Sequence, residues 1–459
     1  MNANKMGVQP VPRLLLAMGL PMILSMIVQA FYNLVDSYFI SNLTDDQIPN
    51  LGDLAMNALT LSFPIQILMI AIGVGTGVGV GALLSKHLGQ REFERANYVA
   101  GNAISVSVLT YVIFLLFGLF GTRWFLSTQT SDPQVLELGV QYLSICCVWS
   151  FGAVCSMIYE KLLQSTGKTQ LSTIAQLIGA ITNIILDPIL IYGLLGLPKM
   201  GVTGAAVATV VGQILTLIAD MTFHYRCNHE ISGHSRYLRP RRDAIVGIYV
   251  VGAPAIVMQA LMSVMSYGIN IIYGMVSAAA VTAFGIYYKI QQFVFFAAFG
   301  MNNAMIPVIA YNFGRGDRRR IDQGILWGQI YTLILMLIGM AVLQIFAAPI
   351  CGVFSLSAET EDLCIRAIRI VTLGYLFAGL NIGYQGVFQA LGNGIKSLIL
   401  SLVRLIVVTL PLAWALTRVE QAADWIWLCF PIAEACGVVV ALAFMQMVAR
   451  RQLVGLKHV

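Results

Sequence analysis

Charge is what this sequence has least of. Only 10% of its residues are Asp, Glu, Lys or Arg, against roughly 25% in a soluble globular domain. That scarcity excludes a water-soluble enzyme or binding domain of ordinary composition. Histidine is scarcer still, five in 459 residues, and no HExxH occurs, so a zinc-hydrolase site has no ligands to draw on. The eight cysteines form no CxxC pair. Cys146, Cys147, Cys155, Cys429 and Cys436 fall in apolar segments and read as small buried side chains. The glycines at 73, 75, 77, 79 and 81 lack a GK[ST] ending and lie within an apolar run, which favours close helix packing over a nucleotide loop. Ten-residue strands of alternating polarity are absent, which excludes a membrane barrel.

What the sequence has instead is length of apolar run. It is 58% hydrophobic, with a mean hydropathy of +0.81. About twelve runs are long enough to cross a hydrocarbon core of roughly 30 Å as helices. They fall near 14–41, 54–85, 98–121, 137–160, 171–194, 202–226, 244–275, 280–312, 324–347, 363–391, 397–417 and 425–449. The fold class is therefore an all-α membrane protein, with no length left over for a soluble catalytic domain. Lys5 and Arg13 precede a first run too long for a signal-peptide core, so that run is expected to stay as the first spanning helix.

The basic residues orient the helices. With both termini placed in the cytoplasm, the inner segments hold 20 of the 27 Lys and Arg, and the outer loops only Arg123, Lys199 and Arg418. That bias is what the positive-inside rule requires. The outer loops are acidic instead, with Asp45, Asp46 and Asp53 in one and Glu359, Glu361 and Asp362 in another. The net charge of +6 then reflects membrane orientation, and runs such as Arg318-Arg319-Arg320 are not read as a nucleic-acid surface.

The chain also repeats itself. Its one long polar stretch, 227–243, divides it into 1–226 and 244–459, and the halves align at an offset of 225. LGQREFERA (88–96) falls on FGRGDRRRI (313–321), and Tyr159, Gln164 and Gly167 fall on Tyr384, Gln389 and Gly392. Six helices per half is an even number, so the repeats are parallel, related by a pseudo-twofold axis along the membrane normal. Two six-helix bundles in a V, alternating access to a cavity between them, are the expected architecture.

Ionisable side chains inside a bilayer are costly and point to function. Asp36, Asp187, Lys289, Arg404 and Glu434 are the candidates. Asp36 and Asp187 lie at similar depth near the outer ends of helices 1 and 5, and the repeat has Ile269 and Leu412 in their places. Gln29, Tyr32 and Asn33 precede Asp36 by seven, four and three residues and so share its helical face; Asn183 stands one turn before Asp187. Neutral donors of this kind stabilise a carboxylate or help bind a stripped cation. Two neighbouring acids out of water hold a shared proton more tightly than either does alone. The pair is expected to load a proton outside and release it inside, with a cationic substrate competing for it. Sodium at Asp36, Asp187 and Asn183 is the other option for the coupling ion. Pro21, fifteen residues before Asp36, removes an amide donor and marks a hinge or kink in helix 1.

These residues resemble the multidrug and toxic compound extrusion (MATE) family over nearly the whole chain. The likeness is carried by GLPMILSMIVQAFYNLVDSYFIS (19–41), NIILDPILIYG (183–193), GAAVAT (204–209), the LGQ-type loop at 88–90 and Gln164-x-x-Gly167-Lys-Thr. The Asp of helix 1 and the Asn-x3-Asp-Pro of helix 5 are most similar to the DNA-damage-inducible protein F-like branch. The resemblance implies proton- or sodium-driven export of amphipathic, mostly cationic organic molecules across a bacterial or archaeal inner membrane. It implies that Tyr32, Asp36, Asn183, Asp187 and Thr209 line a site in the first lobe. Other branches add an acid in helix 7; this chain has none there, which concentrates coupling in the first lobe.

In the second half, Met258, Met262 and Met265 recur at helical spacing. With Lys289 and Gln291 they form a candidate substrate surface, although ordinary packing explains the methionines as well. Arg404 and Glu434 read as a structural pair. A flippase for lipid-linked oligosaccharides is the alternative function, and it would call for several cavity cations where only Lys289 and Arg404 are available. The expected partners are small organic molecules and the lipid bilayer. No nucleic acid, resident cofactor or enzymatic activity is expected, and a monomer is the expected state.

Overall fold

The computed structural model describes residues 4–43, 51–354 and 357–456. Asp45, Asp46 and Lys457 lie outside the described residues, as do the side chains of Asn33 and Asp53. No strand occurs among the described residues. The first half runs through α1 (Lys5–Val8), α2 (Val11–Ser41), α3 (Leu51–Gly89), α4 (Phe93–Phe120), α5 (Thr122–Ser127), α6 (Pro133–Val148), α7 (Phe151–Ser165), α8 (Thr169–Tyr192) and α9 (Val202–Cys227). The second runs through α10 (Arg242–Gly274), α11 (Ala278–Arg315), α12 (Arg318–Gly352), α13 (Ala358–Val371), α14 (Tyr375–Ala390), α15 (Gly394–Leu402), α16 (Thr409–Leu416), α17 (Ala422–Trp425) and α18 (Cys429–Val448).

Eleven of the resulting spans are long and apolar enough to cross a membrane, and the bent pair α6–α7 makes a twelfth. The twelve-helix expectation is met, with one difference in form. The run 137–160 is two helices meeting at 43°. The break falls at Trp149 (φ −101°, ψ 18°), where neither proline nor glycine stands, so no breaker residue announces it. The run 397–417 likewise contains a π turn, Val403–Val407.

The structure carries the repeat into its hydrogen bonds. Gln164 Nε2 donates to Ser172 Oγ at 3.4 Å, and its counterpart Gln389 Nε2 donates to Ser397 Oγ at 3.3 Å. Both helix ends close in the same way, Lys168 N to Leu163 O at 2.8 Å and Asn393 N to Phe388 O at 2.7 Å. The glycines within those turns have φ of 85° (Gly167) and 76° (Gly392), the left-handed conformation that an added Cβ disfavours.

Contacts divide the chain into two units. Unit 1 comprises Met1–Ile23, Ser85–Arg91 and Tyr249–Val459; unit 2 comprises Leu24–Leu84 and Glu92–Ile248. Helix α2 changes unit just after Pro21, and the end of α3 counts with unit 1. Inside unit 1 the two repeat-related loops meet backbone to backbone. A Cβ on Gly89 would lie 1.9 Å from Tyr311 O, and one on Gly314 would lie 2.1 Å from Lys86 O. The α1 segment is held there as well, with Arg320 Nη2 donating to Met6 O at 3.0 Å and Gln9 O at 2.7 Å. One core cluster of unit 1 sets the aromatic side chains Tyr273, Phe284, Tyr287, Tyr375 and Trp427 among aliphatic ones.

In unit 2 the polar stretch 227–243 is fastened to α4. Asn102 Nδ2 donates to Tyr237 O and Arg239 O, each at 3.2 Å, and Asn102 Oδ1 accepts from Arg241 N at 2.7 Å. Asn97 Oδ1 accepts from Ser232 N at 2.7 Å. One core cluster of the unit gathers Ile40, Leu51, Ala55, Tyr142, Ile191 and Ala205 from α2, α3, α6, α8 and α9.

Candidate functional site

The seam between α8 and α9 positions the first acid. A run of small residues, Gly204-Ala205-Ala206 to Gly212, lets the helices approach closely. A Cβ on Gly204 would lie 2.6 Å from Leu190 O, and one on Gly179 would lie 2.7 Å from Gly212 O. That approach brings Asn183 Nδ2 to 3.4 Å from Thr209 Oγ1 and equally 3.4 Å from Asp187 Oδ1. Asn183 and Asp187 are both buried, the latter completely. Pro188 follows directly, and its missing amide leaves Ile184 O without the usual helical donor.

From α2, Asp36 acts electrostatically on Asp187, and Tyr32 lies within electrostatic reach of both acids while bonding to Gln29. The sequence-predicted group Gln29, Tyr32, Asp36, Asn183, Asp187 and Thr209 therefore converges within unit 2. Oxygens outnumber donors there. Asp36 Oδ1, Asp187 Oδ2 and Asn183 Oδ1 are buried and have no hydrogen-bond partner. Lone pairs in this state fit protons or a small hard cation with oxygen ligands.

Sequence reasoning missed α3 and α6. Tyr142 and Cys146 both interact electrostatically with Asp36, and Gln66 Nε2 donates to Tyr142 Oη at 3.2 Å. Gln66 and Tyr142 stand 76 residues apart in separate runs, so only the tertiary fold shows that they share a wall. A polar residue in each run was the available signal. A further buried acid, Asp220, also went unnoticed in α9.

The second-half candidates belong to unit 1 and do not form one constellation. Met265 is 4% exposed within the aromatic core. Met258 accepts a contact from Ser397 Oγ at 3.4 Å, and Met262 is half-buried. Gln291 Oε1 accepts from Tyr287 Oη at 2.6 Å. Lys289 is exposed. Arg404 and Glu434 pair as expected: Nη2 and Nε of Arg404 donate to Glu434 Oε1 at 2.6 and 3.1 Å. Asn381 Nδ2 donates to Glu434 Oε2 at 2.7 Å, and Thr409 Oγ1 donates to Arg404 O at 2.5 Å. No cluster of three metal-ligating His, Cys, Asp or Glu side chains occurs among the described residues.

A family model described as MatE matches residues 21–189 and 254–415. The chain belongs to the MatE family. Among curated relatives, the multidrug export protein MepA of Staphylococcus saprophyticus is 23% identical over 409 residues, 89% of this chain and 88% of the relative. That of Staphylococcus haemolyticus is 24% identical over the same shares. Among solved structures, an outward-facing multidrug resistance MATE transporter of the MOP superfamily superposes with a TM-score of 0.90 at 23% identity, covering 97% of this chain and 98% of that one. A Pyrococcus furiosus MOP superfamily transporter, described as having a binding pocket of reverse polarity, gives 0.88 at 22% over the same shares. At these identities the structures establish the shared fold.

Proposed function

We propose that this chain exports amphipathic, mostly cationic organic compounds by alternating access, in exchange for protons, with sodium as the second candidate coupling ion. The observation that carries this reading is the set of three buried acceptor oxygens without donors at Asp36, Asn183 and Asp187. Neutral donors are too few there to satisfy the carboxylates as anions. A proton or a cation supplies what is missing, and a cationic substrate competes for the same oxygens. The relatives named multidrug export proteins support the substrate class.

The orientation that goes with this function has both termini in the cytoplasm of a bacterial or archaeal cell, with lobes 1–226 and 244–459 joined by 227–243. Protons enter at Asp36 and Asp187 from the outer side and leave inward. Pro21 is the bending point of α2, two residues before that helix passes from one unit to the other. The transporter works as a monomer, without a resident cofactor.

The oligosaccharide flippase is the weaker reading. Arg404, one of the two cations available to bind pyrophosphate, is engaged by Glu434. The test is ethidium efflux from energised vesicles under a proton gradient and then under a sodium gradient. Efflux that needs one gradient and vanishes in Asp36→Asn supports the proposal. Wild-type efflux in both Asp36→Asn and Asp187→Asn would remove it.

A further inference from the structure

Asp220 on α9 is completely enclosed, and neither oxygen of its carboxyl group has a hydrogen-bond partner. It lies outside the cluster just described: Thr209 is eleven residues earlier, about 16 Å along the helix. The α8–α9 seam shows what faces it. Asn183 reaches Thr209, and a Cβ on Gly179 would strike Thr216 Oγ1 at 1.9 Å. Each turn back along α8 thus corresponds to one turn forward along α9, and the next step sets residues 172–176 opposite Asp220. Thr173 falls in that stretch, only 5% exposed, and its hydroxyl has no partner either.

The third wall is α7, from which Glu160 acts electrostatically on Asp220. Glu160 is half-buried and accepts from Gln164 Nε2 at 2.6 Å. The neighbouring basic groups are engaged elsewhere. Lys161 Nζ donates to Gln164 Oε1 at 2.9 Å, Lys168 Nζ donates to Asn228 Oδ1 at 3.2 Å, and His224 Nδ1 lies 3.2 Å from Asn228 Nδ2. From α6, Glu137 is paired with Arg123 at 2.7 Å. None of them reaches an oxygen of Asp220. A buried carboxyl short of donors is costly as an anion, which makes Asp220 a group able to take up a proton and pass it on.

The repeat sharpens the point. The second half has Met445 where Asp220 stands and Gln385 where Glu160 stands, and Gln385 Nε2 donates to Ser401 Oγ at 2.6 Å. The acid pair at this end of the bundle is thus peculiar to the first half, as Asp36 and Asp187 are.

We infer that Asp220 and Glu160 form a proton relay at the end of unit 2 that bears the 227–243 stretch. The inference rests on the proton-coupled reading above. Water delivers to Asp220 the proton that leaves the Asp36–Asp187 site when that site opens inward. The O–H bond of Asp220 then breaks as one forms on Glu160, whose part-exposed carboxyl gives the proton to the cytoplasm.

The test uses the purified full-length chain in liposomes and two assays: ethidium transport driven by a pH gradient, and ethidium-for-ethidium exchange at equal pH, which needs no net proton release. Asp220→Asn should slow the driven transport about a hundredfold and leave exchange running. Glu160→Gln should weaken the dependence of the driven rate on cytoplasmic-side pH, and Asp220→Glu should restore part of that rate. Driven transport at the wild-type rate in Asp220→Asn would overturn the relay, and so would equal loss of both assays in Asp220→Asn and Glu160→Gln. Failure of the coupling reading itself would show differently, as exchange without proton-driven transport in the unmutated protein.

Discussion

Asp187 in unit 2 and Glu434 in unit 1 are both acids in membrane-spanning helices, and their surroundings differ in one respect. Glu434 is saturated: Arg404 holds one of its oxygens and Asn381 the other. Asp187 receives a single contact from Asn183 at 3.4 Å, and its second oxygen has none. Asp36 repeats the pattern with one orphan oxygen, and Asp220 with two. A buried acid with both oxygens engaged is a structural fastener that does not exchange its partner. One left short of donors is able to take a proton or cation up and let it go. Reading partner counts in this way separates residues that look alike in sequence.

The comparison breaks most visibly at the acids of unit 2. Asp36→Asn and Asp187→Asn should each reduce ethidium efflux to the background of empty vesicles, while membrane insertion and thermal stability stay near wild type. Loss of stability with each substitution would move these acids into the same class as Glu434. For the fastener, the prediction is reversed. Arg404→Met alone leaves Glu434 buried and unpaired and should destabilise the protein by about 3–5 kcal/mol, read as a lowered unfolding temperature in detergent. The double variant Arg404→Met with Glu434→Leu should recover most of that loss, and no recovery would assign the pair a working role. A smaller effect is expected at the donor: Asn183→Ala should weaken the apparent affinity for the coupling ion about tenfold, with no change in unfolding temperature. The smallest is at the seam. Gly179→Ala drives a methyl into Thr216 and Gly212 O and should cost about 1–3 kcal/mol, with the apparent affinity changing only as far as Asn183 and Thr209 are spread apart.

Much of this was legible in the sequence, for physical reasons. Twelve runs of bilayer length, a one-sided distribution of Lys and Arg and the offset of 225 need no tertiary information. The members on α2 and α8 were readable because Gln29, Tyr32 and Asp36, like Asn183 and Asp187, obey helical spacing on their own helices; Thr209 on α9 came from the family resemblance alone. The break at Trp149 was not readable, since nothing local forces it. Nor was the wall formed by Gln66 and Tyr142, since they stand 76 residues apart in separate runs and only packing brings them to one place. Met265 shows the converse. Its helical spacing with Met258 and Met262 is genuine, yet the structure places it in the aromatic core. Asp220 could have been found by the test that singled out Asp36 and Asp187, an acid in a spanning run replaced by an apolar residue in the repeat.

The most direct test of the central claim is proton release on substrate binding. Ethidium is added to the purified protein in weakly buffered detergent solution, and the pH change is recorded together with binding. If Asp36 and Asp187 hold the exchanged protons, the wild-type protein acidifies the solution as ethidium binds, and the double variant Asp36→Asn with Asp187→Asn does not. Ethidium binding without proton release from the wild type, or equal release from the double variant, would contradict the account.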